Sequence, residues 1–267
     1  RIQAEAVYAM SEKANRYVII HAGHVKEIET IERIKDYLKL LYKDSAEMNK
    51  HVKTIKYNGY SMRSIENAMD TSKNIVIIPS EDQVFVNDMV TKLYNYKRRY
   101  RMELHGMSIW DTYKNLELDI LFDLNLKIAS STFRDYENSA VKHFVLNFRD
   151  AYANEPSKLS FLGYDIMLHF GNMAALYGKN IFECGISKEY KGIQTSFNLQ
   201  STGKGNGFCN TSVNIIEYSA ELKRSIVDFN VNTMLKKYES KVNSRSISEK
   251  NDSSKNQEKE EMNEDDD

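Results

Sequence analysis

The sequence predicts an α/β fold: a doubly wound, mostly parallel sheet, then helices, a β-rich segment and a disordered acidic tail. Three observations predict it. Short β-branched runs without polar alternation, Ile75 to Ile78 above all, mark strands covered on both faces. Stretches with apolar residues at helical spacing separate those runs. The alternation persists over five strands before stopping near Glu137, the pattern of right-handed crossovers on a parallel sheet.

In chain order, Tyr17 to Ile20 reads as the first strand, followed by a helix striped by Ile28, Ile31, Ile34, Leu38 and Leu41. Val52 to Tyr57 is a weaker strand, and a short helix from about Ser61 carries Ile65, Ala68 and Met69. After the third strand, Ser80 and Gln83 have the spacing of a capping box, opening a helix that buries Phe85, Met89, Val90, Leu93 and Tyr94. Met102 to His105 and Leu126 to Ala129 supply the fourth and fifth strands. Two long helices follow, striped by Val141, Phe144, Val145, Phe148 and Tyr152, and by Leu162, Ile166, Phe170, Met173 and Tyr177. The β-rich runs Gly192 to Leu199 and Phe208 to Tyr218, joined by a glycine-rich loop, read as a hairpin. From about Tyr238 hardly any apolar residue remains, so the tail ending "EEMNEDDD" is expected to be disordered.

Hydrophobic residues make up 41% of the 267 and charged residues 28%, which places the chain among globular proteins. The formal net charge of −1 gives no electrostatic case for nucleic acid. No apolar run approaches the roughly 20 residues that span a bilayer. The chain begins at Arg1 without methionine, so a removed targeting segment or a longer parent protein is expected. Cys184 and Cys209 form no Cys-x-x-Cys; they read as two unrelated buried thiols, or as one disulfide if the protein is exported.

Parallel α/β sheets bind ligands beyond the carboxyl ends of their strands. Here those ends are His21 to His24, Pro79 to Asp82, Gly106 to Asp111 and Ser130 to Phe133. Ser80, Glu81 and Asp82 equally suit a helix start with no ligand. His21 and His24 lack a recognisable third metal ligand, so they read as polar loop histidines and no metal is expected. Trp110, the only tryptophan, fits a stacking platform for a ligand as well as a lid on the core. "TGKGNG", Thr202 to Gly207, fails as a phosphate loop because a β-run follows Lys204-Gly205. No nucleophile elbow, zinc-protease motif or carboxylate pair is present, so neither enzymatic activity nor a cofactor is expected.

Five segments in order carry a family resemblance: "RYVIIHAG", "NIVIIPSEDQVFVNDMV", "LHGMSIWD", "LKIASSTFRDYENSAVKHFVLNFRDAYANEPSKLSFLGYDIMLHFG" and "QTSFNLQSTGKGNGFCNTSVNII". Together they resemble the carboxyl-terminal portion of type I periplasmic binding proteins, the Venus-flytrap fold. Phe144, Phe148, Tyr152, Glu155, Pro156, Gly163, Tyr164 and Asp165 are its most specific piece. The chain is most similar to the branch in Bacteroidota envelope proteins, where the module often follows LysM peptidoglycan-binding repeats.

The resemblance implies residues 1–135 as the second lobe, 136–185 as helices of an incomplete first lobe, 186–237 as a hinge and return segment, and 238–267 as the tail. It implies a ligand held between lobes by His21, His24, Ser80, Glu81, Ser108, Trp110 and Asp111. Ser80-Glu81 and Ser108 stand where amino-acid receptors of the family hold an aromatic and an acid. The expected function is a non-catalytic envelope module in the periplasm that binds a small molecule or peptidoglycan fragment by lobe closure. The alternative is an envelope scaffold that kept the fold, lost the ligand and works through protein partners. An open cleft lined by polar groups would mark a binder, a cleft filled with bulky side chains a scaffold. On this reading Glu81→Ala and Trp110→Ala weaken binding and leave stability intact.

Overall fold

The computed structural model describes residues 7, 15–42, 44–59, 61–181, 189–203 and 206–227. The alternative of a Cys184–Cys209 disulfide and the expected disordered tail from Tyr238 lie outside the described residues; Cys209 is exposed, not buried as expected, because it sits on a short two-stranded edge away from the core.

Five parallel strands form the sheet: β1 (Arg16–His21), β2 (Val52–Lys56), β3 (Asn74–Ile77), β4 (Met102–Gly106) and β5 (Lys127–Ser130). Their order is β2-β1-β3-β4-β5, extended past β5 by the antiparallel β10 (Asn214–Ser219) and β11 (Lys223–Ile226). Helix α1 (Val25–Lys39) and α2 (Ser45–His51) join β1 to β2. They pack on one face of the sheet, burying Ile31, Ile34, Leu38 and Met48 against Tyr17, Ile19, Ile75 and Ile77. The helices α3 (Arg63–Ala68), α4 (Gln83–Tyr96) and α5 (Leu118–Asp123) cover the other face. There Ile65, Met89, Leu93 and Leu121 meet Val18, Ile20, Val76 and Leu104. The chain thus crosses to one side after β1 and to the other side from β2 onward. The strand order reverses between β1 and β3, and a crevice opens where the two connections part.

Several local readings shift. Ile28 and Tyr94 are exposed, and Glu27 is buried in the first turn of α1 instead. Asp82, not Ser80, caps α4: its carboxylate accepts from the N–H groups of Val84 and Phe85. The sequence pattern missed α2 and α5, whose apolar stretches span less than two turns. In β4 the central strand carries two buried polar residues: Glu103 accepts from Lys73 and Lys127 at 2.9 Å each and lies 2.8 Å from His105 Nε2. Burial opposes ionisation of Glu103, but its bond to His105 and the two lysines outweigh it and hold the carboxyl far below its ordinary range.

Beyond the sheet, α6 (Ser139–Tyr152) packs on α7 (Lys158–Tyr177), with Phe144 4.7 Å from the rings of both Phe161 and Tyr164. The buried stripe of α7 is Phe161, Asp165, His169 and Met173: Met173 is as expected, whereas the first three each precede by one residue the expected Leu162, Ile166 and Phe170. Asp165 dictates the difference. Its carboxylate accepts from the N–H groups of Ile193 (2.8 Å), Gln194 (3.0 Å) and Thr195 (2.7 Å), so it faces inward. Gly192 is required at this contact, because a Cβ there would lie 2.5 Å from Asp165 and 2.3 Å from the Thr195 carbonyl.

The segment Asp165 holds runs beside the end of β5, where Thr132 bridges Thr195 and the Phe133 N–H donates to Gln194. A third strand of chain joins them, as the Asn210 side chain donates to the Ser196 carbonyl. The expected long hairpin is divided among several pairings. The strands β6 (Tyr190–Lys191) and β7 (Ser196–Phe197) pair with each other, as do β8 (Leu199–Ser201) and β9 (Phe208–Asn210), while β10 leaves to join β5.

Three buried histidines give the stability a predictable pH dependence. Burial lowers the pKa of His21, His105 and His169; for His21 and His105 an adjacent glutamate offsets part of this. Above about pH 6.5 neither folded nor unfolded chain protonates them, and they contribute nothing. Below it the unfolded chain takes up protons that the folded one refuses, so stability falls with pH by up to about 1.4 kcal/mol per unit per histidine. Urea midpoints measured from pH 8 to pH 5.5 are expected to be level down to about 6.5 and then to drop. A profile flat to pH 5.5 would contradict the burial of these rings.

Candidate functional site

The strand ends of β1, β3, β4 and β5 come together at one edge of the sheet, as their parallel pairing demands. At the order reversal, the loops after β1 and β3 face each other, with His24 Nε2 3.8 Å from Asp82 Oδ2. His24 precedes α1, where one oxygen of Glu27 accepts from the N–H groups of Gly23 (2.8 Å) and His24 (2.9 Å). The other oxygen, Oε1, is buried without a hydrogen-bond partner, and Glu27 as a whole is only 3% exposed. His21 lies beneath this helix start, also buried, with Nδ1 unpartnered.

The β3 loop is fixed from below. Ser80 is fully buried; its hydroxyl accepts from the Asp82 N–H and its carbonyl accepts from the Trp110 indole N–H at 2.9 Å. Trp110 is 1% exposed, sealed under a 3₁₀ turn (Ser108–Thr112), and its ring lies on Gly106, where a Cβ would stand 2.4 Å from the ring carbons. The tryptophan is therefore a lid on the core and offers no open ring face, and Ser80 offers no open hydroxyl. The Tyr113 hydroxyl donates to the Glu81 carbonyl at 2.6 Å, leaving the Glu81 side chain exposed. Asp111 is also exposed but occupied: it accepts from Tyr218 Oη (2.8 Å) and Arg224 Nη1 (2.7 Å), tying the turn to β10 and β11. Burial, then the Asp111 charge, pushes the Tyr218 hydroxyl up to about 12.

Two adjoining cavities occupy this edge. The first, about 570 Å³, lies between the start of α1 and the β3 loop and is lined by His24, Lys26, Glu27, Glu29, Arg33, Glu81 and Asp82, among others. The second, about 530 Å³, is lined by Ser108, Asp111, Ser130, Ser131, Thr132 and Lys158 among others. Thr30 and Met107 line both, so the cavities form one groove along the strand ends. Of the seven expected site residues, His24, Glu81, Ser108 and Asp111 line the groove, whereas Ser80 and Trp110 support it from within and His21 lies under α1.

Sequence reasoning missed Glu27, Arg33 and Lys158. Ser130 to Thr132 stood among the strand ends, but nothing in their residue types singled them out. Lys26, Thr30 and Arg33 recur on one side of α1, which in sequence looks like any solvated helix face.

Chemically the groove presents charges of both signs and several hydroxyls. No serine or threonine lining it hydrogen-bonds a histidine among the described residues. Nor do the described residues contain a group of three His, Cys, Asp or Glu side chains able to hold a metal. No described helix is long and apolar enough to cross a membrane.

No protein-family model matches the sequence, and no curated protein matches it. Solved structures do match. A protein assigned as a branched-chain amino acid ABC transporter from Rhodospirillum rubrum aligns over 85% of this chain and 65% of its own, with a TM-score of 0.54 at 9% identity. A substrate-binding protein of an ABC transporter from Desulfitobacterium hafniense, in complex with Leu, aligns over 85% and 64%, with a TM-score of 0.49 at 13% identity. The chain thus spans just under two thirds of either protein's length. At these identities the likeness is one of fold: a mixed α/β, mostly parallel sheet with helices, of the periplasmic-binding-protein kind, covered in part.

Proposed function

We propose that this chain is the larger part of a two-lobed, non-catalytic solute-binding protein of the cell envelope. Its groove lies in a cleft that closes on a small molecule or peptidoglycan fragment. The observation that carries this reading is the open groove at the strand-order reversal, because a scaffold without a ligand has no reason to leave it unfilled. In it Glu29, Arg33 and Glu81 form no ion pair among the described residues.

The division into lobes has its own support. Outside its one buried stripe, α7 exposes Leu159, Met167 (72%) and Leu176 (76%), and α6 exposes Leu146 and Tyr152. A helix apolar all round is built to be buried. On this reading α6 and α7 belong to the first lobe, and the segments crossing at Thr132, Thr195 and Asn210 are the hinge. Placement in the periplasm, beside LysM repeats, follows from the same reading and is tested by the sequence of the parent gene.

The binding itself is tested by screening melting temperature against amino acids, short peptides, aromatic carboxylates and muropeptides. At least one class is expected to raise it in a saturable way. Glu81→Ala and Lys158→Ala are then expected to weaken binding about tenfold or more, while unliganded stability stays within about 0.5 kcal/mol, as at other surface positions. Saturable binding that both variants leave unaltered would place the ligand elsewhere.

A further inference from the structure

We infer that the groove takes a short linear peptide with free termini, its ammonium in the first cavity and its carboxylate in the second. The inference rests on the ligand-binding reading above and goes further in assigning the ligand's chemistry.

The two cavities differ in charge. Four carboxylates line the first, Glu27, Glu29, Glu81 and Asp82, against the two permanent cations Lys26 and Arg33. Glu29 and Glu81 have no partner among the described residues, and Asp82 spends Oδ1 on the α4 cap. Glu27 acts from beneath the surface: Oε2 accepts from the Gly23 and His24 N–H groups, and Oε1 is enclosed by the protein.

In the second cavity the single carboxylate, Asp111, is already satisfied by Tyr218 and Arg224. What remains is donor-rich: the hydroxyls of Ser108, Ser131 and Thr132 and the ammonium of Lys158. Lys158 opens the first turn of the 20-residue α7, whose dipole adds to the attraction for an anion.

Between the two ends the shared lining is Thr30 and Met107, with no charge. An α-amino acid carries both charges on one carbon and cannot place them in separate cavities. An extended tripeptide holds its termini about 10 Å apart and so separates the two charges. Its side chains would alternate across the neutral waist, where Met107 offers an adaptable surface.

The test is an NMR titration of the 267-residue chain with L-leucine, trialanine, N-acetyl-trialanine and trialanine amide. Trialanine is expected to shift the amide signals of the α1 start and of residues 108 and 131–132 together, with an affinity at least tenfold above that of L-leucine. Acetylation and amidation are each expected to cost tenfold or more. In Glu81→Gln the penalty for acetylation should shrink, and in Lys158→Gln the penalty for amidation should shrink, each without effect on the other. Equal affinity for L-leucine, or for the capped peptides, would overturn the peptide assignment and leave the binding reading standing. Absence of any saturable shift, from these probes and from the wider solute screen alike, would overturn both.

Discussion

Trp110→Ala is expected to destabilise the chain by about 3–5 kcal/mol, the cost of emptying a large aromatic site in a packed core. The ring is fully enclosed and lies on Gly106, while its N–H holds the Ser80 carbonyl. Its removal leaves a void against a backbone that has no side chain to fill it, and an unpaired carbonyl beneath the groove. Trp110→Phe should restore much of the packing and still lack the hydrogen bond, placing it between the two. Equilibrium urea unfolding measures both. A loss within about 0.5 kcal/mol for Trp110→Ala, as at surface positions, would show that the indole is not part of the core. The sequence by itself suggested the opposite outcome, a stable variant with weakened binding, because a tryptophan beside a strand end fits a ligand platform equally well.

Asp165→Ala should be comparably severe, at about 3 kcal/mol or more, since three backbone N–H groups lose their acceptor at once and each buried unpaired donor costs about 1–3 kcal/mol. Asp165→Asn retains one carbonyl oxygen but turns an amide toward donors, so an intermediate loss is expected. Beyond unfolding energy, hydrogen exchange separates this role from simple packing. The amides of Ile193, Gln194 and Thr195 should lose protection in Asp165→Ala more than those of β1 or β3 do. Uniform loss across the sheet would mean that the carboxylate does not specifically hold the segment beside Thr132.

The parallel sheet was legible because its signal is local and redundant. Runs such as Ile75 to Ile78 need cover on both faces wherever they end up, and the alternation with helices leaves few topologies. From that alone it followed that the loops after β1, β3, β4 and β5 share one edge. Helix phase was less secure where a polar residue had an inward role. Asp165 is an acid on an otherwise apolar helix, and only its three N–H partners, about 30 positions away in sequence, explain why it is buried. Glu27 is similar: its burial depends on capping the helix that it helps to begin.

The groove divides along the same line. The sequence by itself determined which edge of the molecule carries polar loops, and brought His24, Glu81, Ser108 and Asp111 to it. Tertiary structure alone decided which of the edge residues are open. Ser80 and Trp110 stand next in sequence to exposed residues, yet both are buried, with the indole N–H on the Ser80 carbonyl and the Ser80 hydroxyl on the Asp82 N–H. It also decided the groove's remote wall, where Arg33 and Lys158 reach the strand ends from helices more than 120 positions apart. The reason is physical. Hydrophobic periodicity reports burial against whatever lies alongside, whereas a binding surface is set by which polar groups remain unpaired once all the others have found partners.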